Sequence, residues 1–501
     1  MNTKQLKSKI LDLAIHGKLV PQNPNDESAS KLLEKIREEK QKLIAEKKIK
    51  ADKNDSYIFV GDDNRHYEKF ADGTVKDIED EIPFEVPEGW AWCRLGSYLD
   101  VRDGTHDSPK YVEKGYPFVT SKNLVDGKID FSSVQYISEK DHNEFIKRSL
   151  VEDGDILFAM IGSIGNPVLV KKDREFSIKN VALFKPYSKE NTFMEYVLYF
   201  LIFIQESLRV QAKGGMQPFI PLIFFRKDLL IPLPPVNQQK IIVAEIKKIF
   251  TQINSLETDK IALQTVIKQA KSKILDLAIH GKLVPQNPSD EPASLLLEKL
   301  REEKEAKIKA GELKRDKNDS YIYKNTTDNC YYEKFTDGTE EQVELPATIP
   351  DSWVWCHFGD VADVINGKNQ SKVEDESGIY PIYGSGGIMG RANDYICPEN
   401  CTIIGRKGSI NNPIFVEEKF WNVDTAFGLA PSTGVLPKYL FYFCKSFDFT
   451  SLDSSTTLPS LTKTNIQQIL FPLPSLSEQQ RILNKIESLF TKLDEITLNL
   501  V

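Results

Sequence analysis

Several short loops combine glycine with side chains that donate hydrogen bonds. Residues 103–111 (DGTHDSPKY), 120–123 (TSKN), 162–166 (GSIGN) and 213–217 (KGGMQ) lie in the first half of the chain. Residues 366–372 (NGKNQSK), 383–391 (YGSGGIMGR) and 405–412 (GRKGSINN) lie in the second. Glycine lets a backbone approach a phosphate closely, and Ser, Thr, Asn, Gln, Lys and Arg donate to phosphates and to base edges. The candidate contact residues are Thr105, His106, Lys110, Lys122, Asn123, Ser163, Lys213 and Gln217 in the first set, and Lys368, Asn369, Ser385, Arg391, Arg406, Lys407 and Ser409 in the second. Taken singly, each also reads as a solvated turn.

Bond-making chemistry is not signalled. Each Gly-Lys pair (at Gly17, Gly127, Gly281 and Gly367) lacks the Ser or Thr that completes a P-loop. No GxGxxG occurs. Asn166-Pro167 and Asn412-Pro413 lack the second proline of an amino-methyltransferase motif. His106 and Ser108 have no oriented third member. Cys397 and Cys401 have no histidine pair to complete a zinc site, so no metal is expected and the six cysteines read as reduced. The formal net charge of -8 excludes a binder that works by bulk positive charge. The two loop-bearing segments are not basic either: 19 basic against 18 acidic residues over 90–236, and 9 against 12 over 353–476. The N-terminus lacks a signal-peptide core and no apolar run is long enough for a membrane span, so a cytoplasmic chain is expected.

The elements that position these loops are repeated. KSKILDLAIHGKLVPQNP occurs at Lys7 and again, without a mismatch, at Lys271. DKNDSYI recurs at Asp52 and Asp316 with the same offset of 264, and Trp90 and Trp92 match Trp353 and Trp355. IPLPPVNQQKIIVAEIKKIF at Ile231 matches FPLPSLSEQQRILNKIESLF at Phe471 with an offset of 240, so the intervening segment is 24 residues shorter in the second copy. Two nearly identical frames thus carry two divergent inserts.

The frame is helical by period. Apolar residues at Ile242, Ile246, Ile249, Ile253, Leu256, Leu263, Ile267, Ala270, Ile274 and Leu277 alternate spacings of four and three, with only Lys260 breaking the series. This predicts a coiled-coil seam over five heptads and one helix over 238–280. Gly281 caps it, His16 and His280 favour the negative helix ends, and Asp290-Glu291 opens a second helix that pairs antiparallel with the first. Ile482, Ile486 and Leu489 repeat the seam. On the repeat arithmetic the N-terminal helix continues the C-terminal one, so the two termini are expected close together. Paired tryptophans read as core anchors. Short apolar runs broken by Gly, Asn, Asp and Pro predict mixed α/β or mostly β inserts, with helices near 194–210 and 438–446.

The two copies of ILDLAIHGKLVPQNP, the PLPxxxxQ segments from Pro232 and Pro472, and the two-insert layout resemble the specificity subunit of type I restriction–modification systems. The resemblance covers nearly the whole chain. It implies an α+β (mixed α/β) fold, with two target recognition domains separated by long antiparallel helices in a pseudo-two-fold, circularly arranged repeat. The corresponding division is 1–50, an N-terminal helical element; 51–89, a linker or entry segment; 90–236, the first recognition domain; 237–312, a central helical region; 313–352, a second linker or entry segment; 353–476, the second recognition domain; and 477–501, the C-terminal helix. The resemblance further implies a non-catalytic reader of double-stranded DNA, each domain taking half of a bipartite site while the helices set the spacer. Its partners would be two modification subunits carrying S-adenosylmethionine and two restriction subunits using ATP and Mg. Ile242, Ile246, Ile249, Ile253, Ile482, Ile486 and Leu489 are the expected partner-docking positions. The alternative is a coiled-coil adaptor whose two globular domains bind proteins or other ligands.

Overall fold

A computed structural model describes residues 2–52, 55–212, 218–311, 320–452 and 460–500. The chain divides into two compact units, Met1–Thr258 and Asp259–Val501. One 44-residue helix, Val236–Ile279, passes along the chain from the first to the second. Met1 and Val501, and with them the expected proximity of the termini, lie outside the described residues.

In the first unit, helix Thr3–Ile15 buries Leu11, Ala14 and Ile15. It runs antiparallel to the start of the long helix: Thr3 Oγ1 donates to Glu257 (3.1 Å) and Lys7 Nζ to Asn254 (2.6 Å). In the second unit the repeat-equivalent Lys271 donates to Asp494 (2.5 Å) of helix Leu476–Asn499. Both proline-rich turns begin as predicted. Gly17 and Gly281 take φ of +67° and +66°, and His16 and His280 donate through Nδ1 to the carbonyls of Asp12 (2.8 Å) and Asp276 (2.7 Å). The second helix starts later than expected, at Ala293. Asp290 lies before it and pairs instead with Arg481 (2.6 Å), which holds its carboxyl below the usual range.

Two expectations about the frame are corrected. The seam is interrupted: Leu256 and Leu263 are 67% and 38% exposed. The proposed docking isoleucines are largely internal. Ile242, Ile246, Ile482 and Ile486 have no exposed surface and Ile253 is buried; only Ile249 and Leu489 are partly open. The first four pack the cores of their own units and cannot meet a partner.

The segments read as linkers fold. Ser56–Val60, His66–Phe70 and Val75–Asp77 form a three-stranded antiparallel sheet, and Ser320–Lys324, Tyr331–Phe335 and Glu340–Gln342 form another. The turn that closes each is fixed by an aspartate: Asp72 accepts from Thr74, and Asp337 from Thr339.

Each insert is closed by its own ends. Strand Ala91–Arg94 pairs antiparallel with Leu230–Leu233, and Val354–His357 with Leu470–Leu473. The tryptophans sit in or beside these ribbons and are buried, as predicted. The PLPxxxxQ segment then has a physical reading. Gln239 and Gln479 are fully buried and donate to the carbonyls of Pro234 (2.9 Å) and Pro474 (3.1 Å), locking strand to helix.

Between the ribbons the two inserts share one topology. Four strands lie in the order Gly165–Leu169, Ile156–Ala159, Val181–Pro186, Leu99–Asp103, and equivalently Ile414–Val416, Cys401–Gly405, Ala426–Pro431, Ala362–Asn366. A smaller sheet carries Tyr116–Val119 parallel to Ser177–Ile178, and Tyr380–Gly384 parallel to Trp421–Asn422. Only the first insert adds helix Glu139–Ser149; the second has the hairpin strand Gly387–Ala392 in that part of the chain. Helices Met194–Gln211 and Pro437–Ser446 fall where the sequence places them.

One crossing joins the two sheets of each insert. Gly104 donates to Val181 (3.0 Å) and Thr105 to Ile178 (3.1 Å); Gly367 donates to Ala426 (3.2 Å) and Lys368 to Asn422 (3.0 Å). A Cβ added at Gly104 or Gly367 would collide with the carbonyl oxygen of Ile178 or Val423. These backbones cannot retreat without breaking the crossing. Gly367→Ala is therefore expected to cost about 1–3 kcal/mol, the usual range for overpacking. Gly386→Ala, with nothing within 4 Å, should change stability by less than ~0.5 kcal/mol. Thermal unfolding of the two variants checks this; equal midpoints would contradict it.

A second prediction concerns pH. The His142 ring lies flat on Tyr116 (centroids 3.9 Å apart, 2° between planes) and its Nδ1 is 2.9 Å from Ser177 Oγ. Burial pushes the imidazole below the ordinary histidine range. As pH falls the unfolded chain takes the proton first, so stability is lost from about pH 6.5 downward. His142→Gln should flatten the fall in unfolding midpoint between about pH 7.5 and pH 5; an unchanged slope would show that His142 does not contribute.

Candidate nucleic-acid interface

The crossing brings three loops to one end of each insert. In the second unit they come after the strands ending at Asn366, Gly384 and Gly405. Lys368 leaves the crossing exposed, and its carbonyl accepts from Trp421 Nε1 (2.9 Å). Ser385 abuts Gly405, where an added Cβ would lie 3.1 Å from the serine Cβ. The Arg406 amide donates to Thr425 (2.8 Å), and its guanidinium carbon lies 5.7 Å from the Phe427 ring centroid. Lys407 and Ser409 are exposed just beyond. Lys368, Ser385, Arg406, Lys407 and Ser409 thus gather at one sheet end, carrying three cations on a surface of mixed charge.

Two candidates stand apart. Asn369 spends its side-chain oxygen on the Ser371 amide (2.9 Å), shaping its own turn. Arg391 pairs with Pro381 at the far end of the hairpin, and its guanidinium donates to the Ile379 carbonyl (3.1 Å). Hairpin strand order, not loop composition, places it there.

In the first unit the loops come after Asp103, Val119 and Ala159. His106 is exposed, with Nδ1 2.6 Å from Asn180 Oδ1 and Nε2 2.9 Å from the buried carboxylate of Asp103. Arg148 also pairs with Asp103. Lys110, Lys122 and Ser163 are exposed. The register Ala159↔Val181 puts the loop carrying Ser163 beside Asn180. Arg209 braces that loop from helix Met194–Gln211, donating to the Ile164 carbonyl (2.6 Å).

Thr105 and Asn123 are corrected. Thr105 is 7% exposed and its hydroxyl is used on Asp107. Asn123 is 4% exposed; its oxygen accepts from the Thr120 amide (2.9 Å) and hydroxyl (3.0 Å), and its nitrogen donates to Asp130 (3.3 Å). Both are internal braces for the loops, because every polar atom they offer is already spent. Lys213 and Gln217 lie outside the described residues.

Sequence reasoning missed Lys179 and Asn180. They join the two sheets, between Ser177–Ile178 and Val181–Pro186, and reach the loop from Asp103: Lys179 Nζ donates to Ser108 (2.6 Å). The Lys179 amide donates to Val119, as the Val423 amide does to Tyr383, both at 2.9 Å. This equivalence of Lys179 with Val423 lies in backbone pairing. No sequence repeat within the inserts reveals it.

Known proteins share the fold. The type I restriction modification DNA specificity domain matches residues 87–265 and 350–500. The EcoAI specificity subunit of a type I restriction enzyme from Escherichia coli is 25% identical over 576 residues, an alignment covering 97% of this chain and 88% of that protein. Among solved structures, the HsdS subunit from Thermoanaerobacter tengcongensis is similar with a TM-score of 0.50 at 17% identity, over 83% of this chain and 93% of its own. A chain solved in work on complex assembly and conformational transition of the type I R-M system gives a TM-score of 0.52 at 18% identity, over 83% and 94%. With matches to both inserts and their flanking helices, the chain belongs to the type I restriction modification DNA specificity domain family.

Proposed function

We propose that each insert reads one half of a bipartite double-stranded DNA site, and that the chain itself makes or breaks no bonds. The carrying observation is that two inserts of one topology present unlike loops at the same sheet end. In the first, His106, Lys110, Lys122, Ser163 and Lys179 face that end; in the second, Lys368, Ser385, Arg406, Lys407 and Ser409 do. The near-neutral inserts supply few phosphate contacts, so affinity depends on partners that hold the same DNA. Those partners are two modification subunits, which bring S-adenosylmethionine and methylate adenine, and two restriction subunits, which use ATP and Mg. The assembly works in the cytoplasm.

The 44-residue helix serves as the ruler between half-sites. Its exposed stretch around Leu256, Ile261 and Leu263 is the place to change its length. Seven residues inserted there add ~10 Å of helix, or about three base pairs at ~34 Å per turn. Mapping methylated adenine in cells expressing the chain with its modification subunit should show the same two half-sites with a longer spacer. Altered half-site sequences would refute the ruler.

Single residues separate the halves. Arg406→Ala should relax or weaken recognition of one half-site only, by ~1–3 kcal/mol if the guanidinium meets a base, and Lys179→Ala should act on the other half. Competition binding with sites varied in one half at a time measures this. An equal loss on unrelated DNA would mark either residue as a phosphate contact.

A further inference from the structure

The two small sheets that replace the expected linkers present the same outer face in both units. On the first, Tyr57 lies across from Lys69 and Phe59 across from Tyr67; on the second, Tyr321 lies across from Lys334 and Tyr323 across from Tyr332. The rings form a ladder in each: Tyr57 to Phe59 at 6.1 Å and Phe59 to Tyr67 at 5.8 Å, Tyr321 to Tyr323 and Tyr323 to Tyr332 both at 6.1 Å. A guanidinium from the preceding helix, Ala29–Ala45 in the first unit and Ala293–Lys309 in the second, closes the ladder, Arg37 at 3.9 Å from the Tyr57 centroid and Arg301 at 4.9 Å from that of Tyr321. Phe59 and Tyr321 are exposed, at 36% and 40%. The connecting residues have changed between the copies, from VGDDNRH (60–66) to KNTTDNCY (324–331), while the ladder has stayed.

The opposite face fixes each sheet to its unit. Arg94 donates to Glu68 (2.8 Å) and Glu81 (2.6 Å), and Ser97 donates to the Ser56 carbonyl (3.0 Å). In the second unit His357 Nε2 is 3.0 Å from Glu333, which also accepts from Ser320 (2.5 Å). The ladder is therefore held at a set orientation.

Charge identifies the occupant. Leaving out Glu68, Glu81 and Glu333, which the opposite face uses, residues 56–81 carry six acidic against three basic side chains, and residues 320–344 carry five against two. Such a surface repels a phosphate backbone. Aromatic rings within an acidic field suit arginine and lysine from a protein, by cation–π contact and ion pairing. Unlike DNA half-sites do not require two like surfaces, whereas one protein bound twice does. We propose that each sheet is a docking platform for a modification subunit, which meets it through a cationic patch. This rests on the reading of the chain as a specificity subunit.

The test is a titration of the full chain with the purified modification subunit, with thermal unfolding as a control for folding. One variant combines Phe59→Ser with Tyr323→Ser. A second reverses exposed charges at the sheets and in the segments just after them: Asp62→Lys, Asp80→Lys, Glu341→Lys and Glu344→Lys. Both are expected to weaken binding about tenfold or more, with unfolding midpoints unchanged, and wild-type binding should weaken as salt rises. If the aromatic variant unfolds early, the charge variant alone decides. Wild-type affinity retained by the folded variants would overturn the docking proposal. A wild-type chain that does not bind the subunit at all would instead overturn the specificity-subunit reading.

Discussion

The rest of the structure depends on the ribbon that closes each insert. Because Ala91–Arg94 pairs with Leu230–Leu233, the chain enters and leaves the first insert at one place, and Val354–His357 with Leu470–Leu473 does the same for the second. The buried glutamines Gln239 and Gln479 then bind strand to helix through proline carbonyls. A frame locked in this way is indifferent to what lies between its strands. That is the physical condition under which two nearly identical frames carry inserts that share almost no sequence, and under which recognition can change without refolding the scaffold.

Within the insert the glycine crossing takes over. Gly104 and Gly367 occupy equivalent positions, where a side chain would strike the carbonyl of the opposing segment. The crossing fixes only backbone. The loop beyond it is free to vary: His106 and Lys110 in one insert, Lys368 and Asn369 in the other. The division between a fixed crossing and variable loop ends parallels, on a smaller scale, the division between frame and insert. It also explains why neither insert needs to be basic. On the proposed reading, cations are needed only at the loop ends, and the remaining surface can be neutral.

The helical frame was legible because its signals are local. Period, caps and prolines placed the long helix at 238–280 against the observed Val236–Ile279, and the glycines at its turns fell where φ is positive. The insert topology was not legible. Strands such as Ile156–Ala159 show as short apolar runs, but a run buried throughout carries no alternation and does not name its neighbours in the sheet. The strands within Ser56–Asp77 were not legible because this sheet is acidic and turn-rich, a composition that resembles a solvated connector. Among the candidate contacts, residue type gave no orientation. Thr105 and Asn123 have the same donors and acceptors as exposed neighbours, but they point inward as braces. Lys179 was invisible because its place is set by pairing across the crossing. Ile242 and Ile482 illustrate the converse, since a strong apolar seam signals burial without saying what does the burying.

The central claim is that each insert reads its own half-site. It is tested most directly by methylated-adenine mapping for a chain in which residues 95–229 replace residues 358–469, expressed with the modification subunit. The account predicts a bipartite motif in which both halves carry the first insert's sequence. A motif that keeps the second insert's half-site, or one in which the first insert's own half changes, would contradict it.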